Sequence, residues 1–185
     1  MARGLGALPA RRSARLTLRP LLPGDARALH ALSADPDILA AIPILPRPFT
    51  LAAARRLIAK NSGGSDCFLG VWKGESEELM GVVGLHLRGG RDLELGYWIG
   101  GTFRGQGYAS EAAMAALELA AALLPRRRVI AECRPENHAS WRVLEKLGLR
   151  PTGRRGSRPG RLLLARPAGA ARPAVVARPA GVARP

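Results

Sequence analysis

A glycine-rich segment between two regular elements carries the clearest chemistry in the sequence. Gly105 and Gly107 lack a Cβ atom, so the backbone amides around them can approach an anion closely. A helix predicted over 110–124 follows, and its first turn has unpaired amides at the positive end of the helix dipole. Residues 95–110 contain no acidic side chain, and Arg104 adds a positive charge. The segment predicts a phosphate-binding turn, although it has neither the Gly-Lys-Ser/Thr of a Walker loop nor a dinucleotide fingerprint in the usual place.

Periodic patterns predict the elements that hold this segment in place. Strand-like runs joined by short turns at 74–78 and 89–90 predict an antiparallel meander. The order strand, helix, strand over 92–133 predicts a parallel strand pair with a crossover helix. A terminal hairpin is predicted over 149–165. The other predicted strands are 15–20, 67–73 and 79–88, and the other predicted helices are 25–33, a short one from 35–36, 51–61 and one that opens at 135–137 and ends at Gly148.

The charge of the chain is concentrated at its ends. The sequence has 29 Lys and Arg against 14 Asp and Glu, a net charge of +15, which suggests an anionic partner such as a nucleic acid. All 14 acidic residues lie between Asp25 and Glu145, and residues 21–145 also hold 14 basic residues. Residues 1–20 contribute five Arg, and residues 146–185 contribute Lys146 and nine Arg. The composition therefore indicates a neutral body with basic ends.

Both ends are predicted to lie outside the folded domain, which is placed at 14–165. Residues 1–13 are Arg-rich and acid-free and are expected to be disordered; they lack the apolar run of a signal peptide. From Ala165 the sequence repeats every six residues with a proline in each copy, and proline blocks both helices and central strands. Residues 166–185 are therefore expected to form a disordered tail, either inert or a basic tether to RNA or membrane.

The cysteines and the apolar runs bear on the compartment. Cys67 and Cys133 have no spacing typical of a disulfide framework or a zinc site, so each is expected to be a buried thiol, and no metal is expected. No apolar run approaches the roughly 18 residues that cross a bilayer. These features favour a cytoplasmic protein with no membrane partner.

Three motifs in order resemble the GNAT superfamily of N-acetyltransferases, over about residues 14–165. The segment 104–109 is similar to the family's Arg/Gln-x-x-Gly-x-Gly/Ala signature, and 93–99 resembles the strand before it. The segment 134–148 resembles the family's later Asn-x-x-Ser helix. The residues of the three motifs are most similar to those of the branch that contains the ribosomal-protein-alanine N-acetyltransferases. The start of the chain from Arg15 is also similar to that branch.

The resemblance implies a fold and a co-substrate. The fold is α/β of the mixed α+β type, with a mostly antiparallel central sheet, one splayed parallel strand pair and flanking helices. Acetyl-CoA is the implied co-substrate. Its pantetheine arm would run along the backbone of the splayed strand, where the family usually has a bulge, and a free backbone donor there would stabilise the oxyanion. The implied binding residues are Trp98, Ile99, Gly100, Arg104, Gly105, Gln106, Gly107, Tyr108, Ala109 and Asn137.

The reaction also needs proton transfers. An amine acceptor is mostly protonated at neutral pH, so a base must remove a proton before attack. Glu94 is the leading candidate for this base; the alternative is that it pairs with an arginine on the solvent face. His86 is the second candidate. The departing thiolate also needs a proton. Many relatives use a tyrosine on the last helix, and no tyrosine follows Tyr108 here. The resemblance implies Ser140 as the donor, because it matches the position where the ribosomal-protein branch carries a serine. Asn137 either contacts the pantetheine or caps its helix.

The acceptor and the competing functions stay open at this point. The first hypothesis is an acetyl-CoA-dependent N-acetyltransferase acting on a protein N-terminus or a small amine, as a monomer or homodimer. The second is a catalytically degenerate RNA- or ribosome-associated module that uses the basic termini, and the third is an acyl-CoA sensor. The hairpin over 150–161 is short and basic, and its charge would favour acidic acceptors or RNA and disfavour polycations.

Overall fold

A single mixed sheet organises the molecule. A computed structural model of the chain describes residues 4–74, 76 and 78–167. Within these residues, eight strands form one sheet in the order β1-β2-β3-β4-β5-β6-β8-β7. Every neighbouring pair is antiparallel except β5 and β6, which are parallel. The strands are β1 Arg11–Arg12, β2 Leu16–Pro20, β3 Asp66–Lys73, β4 Leu79–Arg88, β5 Asp92–Ile99, β6 Arg128–Cys133, β7 Arg150–Arg155 and β8 Leu162–Arg166. The predicted fold class is confirmed.

The helices begin where the sequence provides caps. Thr50 Oγ1 accepts a hydrogen bond from the Ala53 amide at 3.2 Å, and Asn137 Oδ1 accepts one from the Ser140 amide at 3.0 Å; both satisfy amides that a helix start leaves unpaired. The described helices are α1 Ala26–Ser33, α2 Pro36–Ala41, α3 Leu51–Ala59, α4 Tyr108–Leu123 and α5 His138–Lys146. No helix in the described ranges is long and apolar enough to span a bilayer.

The helices cover both faces of the sheet and bury two apolar cores. One core packs α4 and α5 against one face and includes Leu95 of β5. The other packs α1 and α3 against the opposite face and includes Trp98 of β5. Successive strand side chains point to opposite faces, so even-numbered residues of β5 face α1 to α3 and odd-numbered residues face α4 and α5. Cys67 and Cys133 are buried free thiols, as predicted.

The N-terminal segment packs on the domain over residues 4–12, contrary to the prediction that residues 1–13 are disordered. Leu5 and Leu8 are buried in the core beside α4, and the Leu5 amide donates to the Gly64 carbonyl at 2.8 Å. Arg11 of β1 pairs with Glu118 of α4 at 2.8 Å. Burying two leucines stabilises the packing of this segment by a few kcal/mol in total, roughly 1.5–3 kcal/mol for each side chain. The prediction of disorder rested on the basic composition and did not take these two leucines into account.

The C-terminal boundary shifts slightly. β8 continues to Arg166, one residue beyond the predicted domain, and the Arg166 guanidinium donates to the Leu147 carbonyl at 2.9 Å. The predicted tail from 168 to 185 lies outside the described residues.

Candidate active site

The parallel strand pair splays immediately after Glu94. β5 and β6 pair only from Asp92 with Arg128 to Glu94 with Ile130. β6 then continues beside β8, whereas β5 stays paired with β4 in unbroken register as far as Ile99. The prediction of a β-bulge in β5 is therefore wrong. The divergence of β6 opens the sheet without any irregularity in the β4–β5 ladder.

The splay leaves backbone donors facing an open space. The Gly100 amide donates to the Met80 carbonyl of β4 at 2.9 Å. Hydrogen-bonding direction alternates along an antiparallel strand, so residues of the same parity as Gly100 bond to β4. The amide of Leu95 closes the ladder with Ile130 of β6, and the amides of Tyr97 and Ile99 consequently point away from β4 toward the gap left by β6. These last two amides, rather than that of Trp98, are the ones a bound molecule could reach.

A cleft of ≈ 510 Å³ passes through the sheet at this gap. Its wall on one face comes from the start of α4 and from α5. Its wall on the other face comes from α2, from residues 42–44 after it and from the tip of the β7–β8 hairpin. Of the predicted site residues, all line this cleft except Gly100 and Gln106. One end of the cleft is thus a helix start, and the other is a row of polar side chains on β4, β5 and β6.

The glycine-rich segment forms the predicted turn. Gly105 and Gly107 have φ of 78° and 81°, in the left-handed region that favours glycine. Gly107 is the N-cap residue of α4 and has no side chain with which to cap the helix. None of the described residues accepts a hydrogen bond from the amides of Tyr108, Ala109 or Ser110 outside the helix. Three donors and the positive helix end therefore face the cleft, which is an arrangement that binds an anion.

The polar and cationic side chains near this turn differ in whether they already have a partner. Arg104 points toward α2, where its guanidinium pairs with Asp37 at 3.1 Å and Asp35 at 3.3 Å. Gln106 also turns back, donating to the Thr102 carbonyl at 3.1 Å. Arg142 and Lys146 of α5 line the cleft, and neither has a hydrogen-bond or ion-pair partner among the described residues. In the part of the chain that the structure describes, Arg142 and Lys146 are thus unpaired cations near the turn, and no sequence motif pointed to Lys146.

Ser140 lies beside a tyrosine that the sequence did not suggest for this role. The Tyr97 hydroxyl lies 2.8 Å from Ser140 Oγ, where either hydroxyl can be the donor, and 3.2 Å from the Ser140 carbonyl, which is the alternative acceptor for its proton. Burial raises the pKa of Tyr97 above its ordinary value near 10, and the bond to Ser140 only partly offsets this. Tyr97 is therefore protonated at neutral pH and can supply a proton through Ser140. Trp98, on the opposite face, donates to Ser33 Oγ at 3.0 Å.

Glu94 is buried, and it is also ion-paired. Only 7% of the residue is exposed. Its Oε2 accepts from Arg88 Nε at 2.8 Å, and its Oε1 accepts from Arg158 Nη1 at 2.6 Å. The two alternatives for Glu94 are thus combined: the carboxylate lines the cleft, and both of its oxygens are held by arginines.

The hairpin tip closes the polar side of the cleft. Arg158 Nη1 also contacts Glu132 Oε2 of β6 at 3.1 Å. Burial of Glu132 opposes its ionisation, but the hydrogen bonds from Ser157 and Arg158 outweigh this and lower its pKa. Arg161 donates to the Ala41 carbonyl of α2 at 2.7 Å. The tip charges therefore pair internally, which removes the reason to expect that Arg158 selects acidic acceptors.

His86 occupies the cleft floor opposite Glu94. The two residues are cross-strand partners on β4 and β5, and Asp66 of β3 is the partner of His86 on its other side. His86 Nδ1 lies 2.7 Å from Asp66 Oδ1. Burial lowers the pKa of His86 below its ordinary value near 6.5, although Asp66 opposes the shift. His86 is therefore neutral at pH 7 and donates through Nδ1.

Comparison with known proteins identifies the family. Residues 15–150 match the family model described as an acetyltransferase (GNAT) domain. The chain belongs to the GNAT acetyltransferase family. The acetyltransferase is 32% identical over 140 residues to the uncharacterized N-acetyltransferase YnaD of Bacillus subtilis (strain 168), an alignment that covers 75% of this chain and 81% of YnaD.

Solved structures share the fold of the acetyltransferase. A GNAT-family acetyltransferase from Bacillus anthracis is 30% identical with a TM-score of 0.74, covering 85% of this chain and 98% of that one. RimL, a ribosomal L7/L12 alpha-N-protein acetyltransferase in complex with coenzyme A, is 22% identical with a TM-score of 0.71, covering 84% and 95% of the two chains. The resemblance to GNAT enzymes, ribosomal-protein acetyltransferases included, is confirmed, and the protein is an acyltransferase.

Proposed function

We propose that the protein is an acetyl-CoA-dependent N-acetyltransferase that acetylates a primary amine, with a protein N-terminus as the acceptor. The observation that carries this proposal is the convergence of a helix-start anion site and a strand splay on one cleft. An anion site alone would fit many phosphate-bearing ligands. The splay adds a row of free backbone amides, which suits an extended, amide-containing arm such as pantetheine.

The residues present fit coenzyme A along the whole cleft. The amides of Tyr108, Ala109 and Ser110 would hold the pyrophosphate, and Arg142 and Lys146 would add positive charge nearby. The β5 amides of Tyr97 and Ile99 would pair with the pantetheine. RimL, which shares the fold, has been solved with coenzyme A bound. When bound, acetyl-CoA supplies an activated acetyl group as a thioester.

The side chains at the splay have complementary roles in the transfer. A free β5 amide would stabilise negative charge that develops on the acetyl oxygen. Tyr97 and Ser140 together would deliver a proton to the departing sulfur, because their hydroxyls are hydrogen-bonded and the Tyr97 hydroxyl keeps its proton at neutral pH. Asn137 fixes Ser140 by capping α5.

The acceptor would enter from the opposite face. Ile42, Pro43 and Ile44 form an apolar lip there, across from Glu94 and the hairpin tip. The lip suits the uncharged side chain of a peptide's first residue, and the polar row beyond it suits the amine. RimL is described as acting on the α-amine of a ribosomal protein, which supports the choice of a protein N-terminus over a small amine.

Binding and turnover measurements test the proposal together. Acetyl-CoA binding is measured by calorimetry, and thiol release is measured with peptides that carry free or blocked N-termini and with small polyamines. We expect saturable binding and thiol release with free N-termini. The Gly107→Ala variant should weaken binding, because a Cβ is strained at φ of 81°. Gly89→Ala, at φ of 52° in the remote β4–β5 turn, is the matched control and should bind normally. Absence of binding at millimolar acetyl-CoA would contradict the proposal.

A further inference from the structure

A histidine–carboxylate pair lies on the cleft floor. Asp66 and His86 are adjacent in the sheet, on the face that carries Glu94. A carboxylate oxygen accepts hydrogen bonds, so His86 Nδ1 carries the proton of the 2.7 Å hydrogen bond to Asp66 Oδ1. This fixes the neutral tautomer and leaves the lone pair on Nε2. His86 is 6% exposed, so its ring is held by its surroundings.

The free nitrogen faces an open part of the cleft. Nε2 has no hydrogen-bond partner among the described residues, and His86 lines the cleft. A Cβ built on Gly84 would lie 2.7 Å from Nε2, so only a glycine leaves that nitrogen uncovered. Gly96, the cross-strand partner of Gly84, has nothing within 4 Å of its own ideal Cβ position. The two glycines therefore form a bare floor on which an acceptor amine can approach Nε2.

Glu94 is less available for the same task. Each of its oxygens already accepts a short hydrogen bond from an arginine. The two guanidiniums hold the carboxylate in place and occupy the directions from which an acceptor ammonium would approach it. Glu94 instead holds the hairpin tip against the sheet.

We propose that His86 is the general base of the transfer and that Asp66 is the residue that positions it. This inference rests on the proposed function. His86 Nε2 takes one proton from the acceptor ammonium. The amine nitrogen then bonds to the acetyl carbon, and the carbon–sulfur bond breaks. The second proton lost by nitrogen goes to the sulfur through Tyr97 and Ser140, and His86 releases its proton to solvent.

The charges around His86 set the expected pH dependence. Asp66 on β3 and Glu94 on β5 favour its protonated form, whereas burial and Arg88 on β4 oppose it. Burial dominates, so the pKa lies below the ordinary value near 6.5. The base is therefore in its active, neutral form at pH 7, and turnover should fall as the pH drops through the pKa of His86.

The experiment measures kcat at saturating acetyl-CoA and acceptor peptide from acidic to alkaline pH. His86→Gln should lower kcat at neutral pH by about 10²-fold or more and remove the acidic limb. Asp66→Asn should move that limb to lower pH, because the imidazolium loses its counter-charge, which a merely structural role would not do. Glu94→Gln should retain the limb. His30→Gln, on α1 outside the cleft, is the matched control and should keep the wild-type profile.

A measurement on the unaltered protein covers the case in which a variant fails to fold. Nitrogen-15 NMR of the histidine rings should show His86 with its proton on Nδ1 and with a titration midpoint that matches the limb of kcat. The His30→Gln and His138→Gln variants assign the other two signals. A proton on Nε2, or a His86→Gln enzyme that keeps both the rate and the limb, would overturn the inference while leaving the proposed function intact. A wild-type enzyme without turnover would instead contradict the proposed function.

Discussion

The roles of the side chains at the splay depend on partners that lie far away in the sequence. The Asn-x-x-Ser motif identified Ser140, but a serine hydroxyl is a weak acid, and the sequence has no tyrosine on the last helix to assist it. The structure provides Tyr97 from β5 instead, 43 positions earlier in the chain. Strand alternation places Tyr97 and Trp98 on opposite faces of the sheet, and only the packing of α5 shows that it is Tyr97 that reaches Ser140.

The Tyr97–Ser140 pair should act as a unit. We expect Tyr97→Phe to lower kcat by about 10²-fold with little change in acetyl-CoA affinity, because the change removes the proton source and leaves the ring in place. Ser140→Ala should have a similar effect. The double variant should be no worse than either single one, since both interrupt the same relay. Additive losses in the steady-state kinetics would show that the two hydroxyls work independently.

Among the elements, the β7–β8 hairpin links the two sides of the cleft. Its tip brings Arg158 between Glu94 of β5 and Glu132 of β6, at the point where these strands separate. Arg161 ties the same tip to α2. The hairpin therefore stabilises the splayed arrangement that the cofactor cleft requires.

Loss of the central arginine should destabilise the fold. Arg158→Met leaves Glu94 and Glu132 buried with fewer counter-charges, and we expect the free energy of unfolding to fall by about 3 kcal/mol. Arg154→Met, on the exposed strand β7, is the matched control and should change it by less than about 0.5 kcal/mol. Urea denaturation of both variants measures the difference. Equal stabilities would mean that the tip is not held by this ion-pair network.

Local signals in the sequence predicted the strands and helices well, but they did not predict the contacts between residues that are distant in the sequence. The bounds of β4 and β5, the caps at Thr50 and Asn137 and the hairpin over 149–165 follow from alternation and turn chemistry. The pairing of Glu94 with Arg158 spans 64 positions. It depends on sheet register and on the tip conformation, neither of which has a local signature. The same holds for Asp66 and His86, whose pairing is set by the β3–β4 register.

The charge of the whole molecule is arranged differently from the neutral body and basic ends inferred from composition. Arg11, Arg15 and Arg19 pair with Glu118, Glu111 and Asp25, so arginines from the N-terminal segment neutralise acids of the body. Arg15 also stacks on Tyr108 and donates to the Gln106 carbonyl, which supports the anion-binding turn. Arg11, Arg15 and Arg19 are therefore structural, which weakens the hypothesis that this end is a nucleic-acid tether.

The N-terminal segment should contribute to global stability. Leu5 is fully buried, and Leu5→Ala should lower the free energy of unfolding by about 3 kcal/mol through lost burial and a cavity. Leu22→Ala, at a residue that is 55% exposed, is the matched control and should cost less than about 0.5 kcal/mol. Thermal unfolding monitored by circular dichroism compares the two. A Leu5→Ala protein as stable as the wild type would mean that residues 4–12 do not pack on the domain in solution.

The central claim is that the splayed cleft transfers an acetyl group from acetyl-CoA to an α-amine. Tandem mass spectrometry of an acceptor peptide that contains both a free N-terminus and an internal lysine tests it most directly. Incubation with the protein and acetyl-CoA should add one acetyl group, located on the α-amine, and the Gly107→Ala variant should add it more slowly than Gly89→Ala. A peptide that remains unmodified, or that is acetylated on lysine alone, would contradict the account.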